Sequence, residues 1–132
     1  MQFERLRFQL LALHPRSRLN PVPPRQIAII RKKYAGIPED YLKFLSIVGE
    51  GTIGDGRFKI YGGPIQPDEI YDADTAASLA GVVLVGDNFG GWCVGYDSEN
   101  DWVFGGVDSS GKFGPISEET LASLLTSWYL GT

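Results

Sequence analysis

Gly49-Glu50-Gly51-Thr52-Ile53-Gly54 spells the G-x-G-x-x-G pattern that cradles a dinucleotide pyrophosphate. That chemistry needs a strand before the glycines and a helix after them, because the helix N-terminus receives the phosphate charge. Here the pattern follows a predicted helix and precedes a predicted strand, so the geometry is reversed and no nucleotide is expected. Gly106-Val107-Asp108-Ser109-Ser110-Gly111-Lys112 has the glycines and lysine of a phosphate-binding loop. Phe113 stands where a Ser or Thr would hold magnesium, and Gly114-Pro115 stops the helix that must follow. Asp97-x-Glu99-x-Asp101 resembles the start of a calcium loop. Its sixth position is Trp102 where Gly is needed, and its twelfth is Asp108 in place of Glu.

The remaining reactive side chains are few. His14 is the one histidine and lies in a Pro/Arg-rich stretch with no predicted scaffold to orient a general base. Cys93 is the one cysteine and falls on a predicted strand between Trp92 and Val94, the setting of an inert core thiol. A zinc site or a His-paired nucleophile lacks a ligand set, so neither metal nor cofactor is expected. Asp68-Glu69 and the Asp72/Asp74 pair sit in a predicted exposed connection, where acids serve solvation more often than catalysis. No catalytic residue is assigned, and the chain is read as a non-enzyme.

Composition sets the frame for these residues. The 132 residues suit one domain, and 43% hydrophobic with 21% charged residues is an ordinary globular balance. Seventeen Gly and eight Pro predict many turns and a large sheet content. One cysteine allows no intrachain disulfide. Glu4, Arg5 and Arg7 break the apolar N-terminus, and no run approaches the ~18 apolar residues of a membrane span, so a cytoplasmic protein with no membrane partner is expected.

Net charge is −4 but unevenly placed. Residues 1–59 hold eleven of the twelve bases and five acids, net +6, and residues 60–132 hold Lys112 and eleven acids, net −10. Two readings stand: an acidic face that attracts a basic partner, or two halves that each keep their own surface solvated. Arg31-Lys32-Lys33 suits the last turn of a helix, and with an acidic chain overall it does not suggest nucleic acid.

The elements that must position these residues follow from periodicity. Phe3, Leu6, Leu10 and Leu13 fit a helix while Leu6, Phe8 and Leu10 fit a strand, so residues 1–13 are open. Residues 14–24, with four prolines, read as a surface linker, and 1–24 as an N-terminal extension. Helices are predicted over 25–35 and 38–48. The second has Pro38 at its first position, Tyr41, Phe44, Leu45 and Val48 as its stripe, and Gly49 after its end. Strands are predicted at Phe58–Tyr61, Val82–Val85 (covered on both faces), Trp92–Tyr96 and Trp102–Phe104, joined as an antiparallel meander. A last helix over 117–129 has Ser117 as N-cap and Leu121, Leu124, Leu125 and Trp128 as its apolar stripe. The fold class is α+β.

Several of these segments resemble one family. Ile37-Pro38-Glu39-Asp40-Tyr41-Leu42, the Gly49-Glu50-Gly51 turn, and Val83 through Asp97 with its Gly86-Asp87-Asn88-Phe89-Gly90-Gly91 turn are similar to the Smi/Knr branch of the SUKH superfamily. The likeness covers roughly residues 25–128, and residues 1–24 carry no family signal. It implies a bent, mainly antiparallel sheet packed with an N-terminal helical hairpin and a C-terminal helix. It also implies a non-catalytic cytoplasmic protein that binds a protein partner. Bacterial members are commonly immunity proteins that neutralise a polymorphic toxin, often a nuclease; fungal relatives regulate growth through partners. A regulatory or scaffolding role without a toxin is the second expectation. Partner-binding candidates are the acids and aromatics of the predicted turns: Asp68, Glu69, Asp72, Asp74, Asp87, Asn88, Phe89, Asp97, Glu99, Asp101 and Trp102.

Overall fold

The computed structural model describes residues 2–131. Alternating apolar segments and tight turns fold into one seven-stranded antiparallel sheet whose spatial order is the sequence order. The strands are β1 (Arg18–Asn20), β2 (Glu50–Ile53), β3 (Phe58–Ile65), β4 (Val82–Asp87), β5 (Cys93–Asp97), β6 (Val103–Val107) and β7 (Phe113–Pro115). Two irregularities bend it. Between β3 and β4 the pairing jumps from Ile60↔Gly86 to Ile65↔Leu84, and between β4 and β5 from Leu84↔Gly95 to Gly86↔Val94. Extra residues on one strand of a pair kink it and increase its twist.

Both faces of the sheet are covered. On one face Val83, Val85, Val94 and Phe104 meet the apolar stripes of α1 (Phe3–Leu13), α2 (Pro24–Lys33), α3 (Glu39–Ile47) and α5 (Leu121–Tyr129). On the other, Val82, Leu84, Cys93 and Val107 form a smaller core with Tyr61 and Leu79. The continuous aliphatic run of β4 is therefore buried on both sides, as its pattern predicts.

Residues 2–24 are not an extension. The helical reading of the N-terminus wins: Phe3, Leu6 and Leu10 are buried, whereas Phe8, which the strand reading would bury, is 72% exposed. α1 packs on α3 and α5, with the Phe3 ring edge-on to Phe44 at 6.0 Å. The expected linker contains β1, held by pairing Leu19 with Gly51 and by Arg7 donating to the Leu19 carbonyl at 3.1 Å. Prolines at 15, 21 and 23 confine β1 to three residues, too short for an alternation to declare it.

Helix ends differ in detail. Pro38 is the N-cap of α3 and not its first residue, so the helix starts one residue later than expected, and Gly49 follows it with φ +100°. α5 starts at Leu121 because Thr120 and Ser123 bond reciprocally, Ser123 N to Thr120 Oγ1 and Thr120 N to Ser123 Oγ, both at 3.0 Å. That pair satisfies two backbone donors, so Thr120 and not Ser117 is the cap, and Glu118 and Glu119 precede the helix.

One core hydroxyl is unpaired. Tyr41 is 2% exposed beside Tyr96, and its oxygen has no hydrogen-bond partner among the described residues. Burial pushes its pKa well above the usual phenol value. Tyr41→Phe removes an orphaned polar atom at almost constant volume, so stability is expected to rise by about 1 kcal/mol in urea denaturation. A loss of similar size would show that the hydroxyl is bonded in solution.

Candidate functional site

The acids of the second half divide between exposed side chains and turn-building ones. Residues 66–81 join β3 to β4 and lay Tyr71 and Leu79 on the smaller core. In this connection Glu69 accepts from Gln66 N at 2.9 Å, closing a 3₁₀ turn over Pro67–Glu69. Asp72 caps α4 (Ala73–Ser78), accepting from Thr75 N at 2.8 Å, and these bonds hold its carboxyl below the usual range. Asp68 and Asp74 are exposed, and no side-chain hydrogen bond engages them among the described residues.

The 87–92 turn is tightly bonded. Asp87 Oδ2 accepts from the Tyr61 hydroxyl at 2.5 Å and Oδ1 from Phe89 N at 2.8 Å. Asn88 Oδ1 accepts from Gly90 N at 2.8 Å and Trp92 N at 3.2 Å. Phe89 is left pointing outward, 54% exposed with φ +63°. Beneath the turn, Tyr71 donates to Cys93 Sγ at 3.4 Å, and burial raises the pKa of Tyr61, Tyr71 and Cys93 alike. Cys93 is thus a core thiol held protonated, a poor nucleophile.

The 97–102 turn is built differently. Asp97 Oδ1 accepts from Glu99 N at 3.1 Å, Ser98 bonds the Gly81 carbonyl through both N and Oγ, and Glu99 lies over Gly81. Asp101 is exposed. Trp102 is half-buried near Tyr96 with its indole nitrogen above Gly36, so most of it serves packing. Each strand of a meander reverses the chain. The 97–102 turn therefore joins the 66–81 connection at one end of the sheet, while Asp87, Asn88 and Phe89 stand at the other, roughly 13 Å away along β5. The sequence-predicted residues form two groups, not one patch.

The motifs that mimic ligand sites have structural uses. The G-x-G-x-x-G segment is β2 and its flanks. A Cβ on Gly49 would lie 2.4 Å from the Asn20 carbonyl, and one on Gly51 1.8 Å from Arg18 O, so bare glycine lets β1 approach. In the 106–112 segment Asp108 Oδ1 accepts from Ser110 N, Ser110 Oγ and Lys112 N, closing the β6–β7 turn on itself. His14 is held after all, its Nε2 2.8 Å from Tyr129 O and its ring edge-on to Tyr129. Among the described residues no three His, Cys, Asp or Glu gather as metal ligands, and no helix is long and apolar enough to cross a membrane.

Two features escaped the sequence reading. Trp128 lies on the α5 stripe yet remains 43% exposed, stacked on Trp92 with ring centroids 5.0 Å apart and planes 29° from parallel. A groove of about 680 Å³ also runs along α2 and the β3 bulge between the exposed Ile29 and Ile70, with Lys33 and Lys59 offset by Glu50 and Asp87.

Strand order equals sequence order, so the uneven charge of the chain becomes uneven in space. The +6 half builds α1, α2, α3, β1 and β2; the −10 half builds the opposite side of the sheet through β7. α5 alone returns across the sheet to meet α1, and it carries no charged residue. The chain is thus an α+β protein, an antiparallel meander with α1, α2, α3 and α5 on one face and the α4 connection on the other. No family model, curated protein or solved structure matches it.

Proposed function

We propose that this chain is a non-catalytic protein-binding module of the cytoplasm, an immunity protein that binds and neutralises a cognate toxin through its acidic side. The observation that carries the reading is the spatial separation of charge by the meander. A toxin that acts on nucleic acid carries a basic cleft, and the acids of residues 60–132, a segment of net charge −10, draw such a cleft in. The exposed carboxylates of Asp68, Asp74 and Asp101 engage no side-chain hydrogen bond among the described residues, so they are available for this steering.

Replacing those three together by lysine changes the field without removing the side-chain bonds of Glu69, Asp72 and Asp97 that close the turns. Association with the toxin domain is expected to slow about tenfold at low salt and to lose much of its salt dependence, with the fold unchanged by circular dichroism. Stopped-flow rates at two ionic strengths measure this. Equal rates for wild type and the triple variant would remove the acidic side from the encounter. A partner without toxic activity would turn the reading toward regulation.

A further inference from the structure

The sheet is missing a strand segment on one side of β3. β2 pairs with β3 only from Ile53↔Phe58 to Gly51↔Ile60, and it begins at Glu50. β3 runs on to Ile65, so residues 62–65, about 13 Å of strand, have no strand beside them on the β2 side. The β4 pairing aside, their backbone has one hydrogen-bond partner among the described residues, the Tyr34 hydroxyl, which donates to the Pro64 carbonyl at 3.4 Å. The outer edges of the sheet are guarded. β1 and β7 are three residues long, Arg7 bonds the Leu19 carbonyl, and Pro115 ends β7, all devices that discourage a further strand. In the notch only Pro64 withholds an N–H. Gly62 and Gly63 carry no side chain to hold another backbone away, the use that Gly51 already has toward β1.

We infer that this notch receives an extended, uncharged segment of a protein partner, added to β3 as a strand alongside residues 62–65. The inference rests on the protein-binding reading above and names the form the partner takes there. The edge selects an extended backbone, because a helix bonds its own N–H and C=O groups and would leave those of β3 unpaired. The walls fit the same occupant. The groove of about 680 Å³ is this slot, with α2 and the exposed Ile29 on the larger-core face of the sheet. The connection over residues 66–81, which covers the smaller core, carries the exposed Ile70 at the other wall. A strand sends successive side chains to opposite faces, so an apolar residue at each wall suits one. Charge selects a neutral segment, since Lys33 and Lys59 are matched by Glu50 and Asp87. Two such recessed edges do not reach one another, which argues against a second copy.

A random peptide library displayed on phage and selected on the wild-type chain supplies the probe, and the most enriched peptide is synthesised for calorimetry. The expected sequence is uncharged, with apolar residues at every second position over at least four residues. Its Kd weakens at least tenfold with Ile29→Lys and with Ile70→Lys, and is unchanged by Phe8→Lys. All three positions are exposed, so melting temperatures stay at the wild-type value. Backbone pairing has its own signature, because an added strand uses only every second N–H toward its neighbour. N-methylating alternate peptide amides is expected to abolish binding in one phase and to spare it in the other, and bound peptide slows amide exchange within residues 62–65. Binding that ignores both lysine variants, equal effects of the two methylation phases, or a library with no enriched peptide would each overturn the inference. Those outcomes leave the protein-binding reading standing, since the association rates above test it with a different probe and different variants. A concentration-dependent dimer abolished by Ile29→Lys would assign the notch to a second copy and equally overturn the inference.

Discussion

Replacing Leu10 by alanine is expected to cost about 3 kcal/mol of folding stability, within the range of about 2–5 kcal/mol for truncating a fully buried leucine. Leu10 is 0% exposed, on the face of α1 that packs against α3 and α5. Truncation removes three carbons from a site enclosed by neighbouring helices, which relax only partly and leave a cavity. Phe8→Ala on the same helix supplies the contrast. At 72% exposure its loss should stay within about 0.5 kcal/mol. Urea titrations of both variants decide the matter. Equal, small losses would mean that α1 adds little to the stability of the fold.

Gly51→Ala is expected to be at least as damaging. At φ +138° a Cβ is strained in any surroundings, and here it would meet the Arg18 carbonyl oxygen at 1.8 Å, a backbone atom that cannot rotate aside. Overpacking costs about 1–3 kcal/mol and a disfavoured backbone about 1–2 kcal/mol more, a combined loss of about 2–5 kcal/mol. The cheapest relief is for β1 to leave the sheet, because it pairs only with β2. Hydrogen exchange should therefore show lost protection in β1 before β4 or β5 is affected. Wild-type protection throughout β1 would show that the strand tolerates the added methyl and that the close approach is not rigid.

The second result also explains why part of the fold was illegible. The glycines at 49, 51 and 54 match a nucleotide fingerprint, and rejecting it needed only their position after a helix. Their actual purpose, a close approach of β1, depends on a three-residue strand about thirty positions upstream. Conversely, α3, β4 and β5 were plain in the chain, because stripes of period 3.6 and aliphatic runs are local statements about burial. α5 was plain as well, although its start lay four residues later than expected because a reciprocal cap outcompeted a lone serine.

The candidate surface divides along the same line. Composition by itself determined that the second half of the chain is acidic and that its turns carry Asp, Asn and Phe. Tertiary structure decided that Asp87, Asn88 and Asp97 are occupied in building turns while Asp68, Asp74 and Asp101 stand clear, since hydrogen-bond partners are set by loop geometry. It also decided that a sequence asymmetry becomes a spatial one, which holds only because the strands lie in sequence order. Trp128 is the sharpest case. Its place on a helical stripe follows from spacing, but burial requires an opposing surface that reaches it, and what reaches it is the edge of Trp92's turn, which stacks on the indole without covering it.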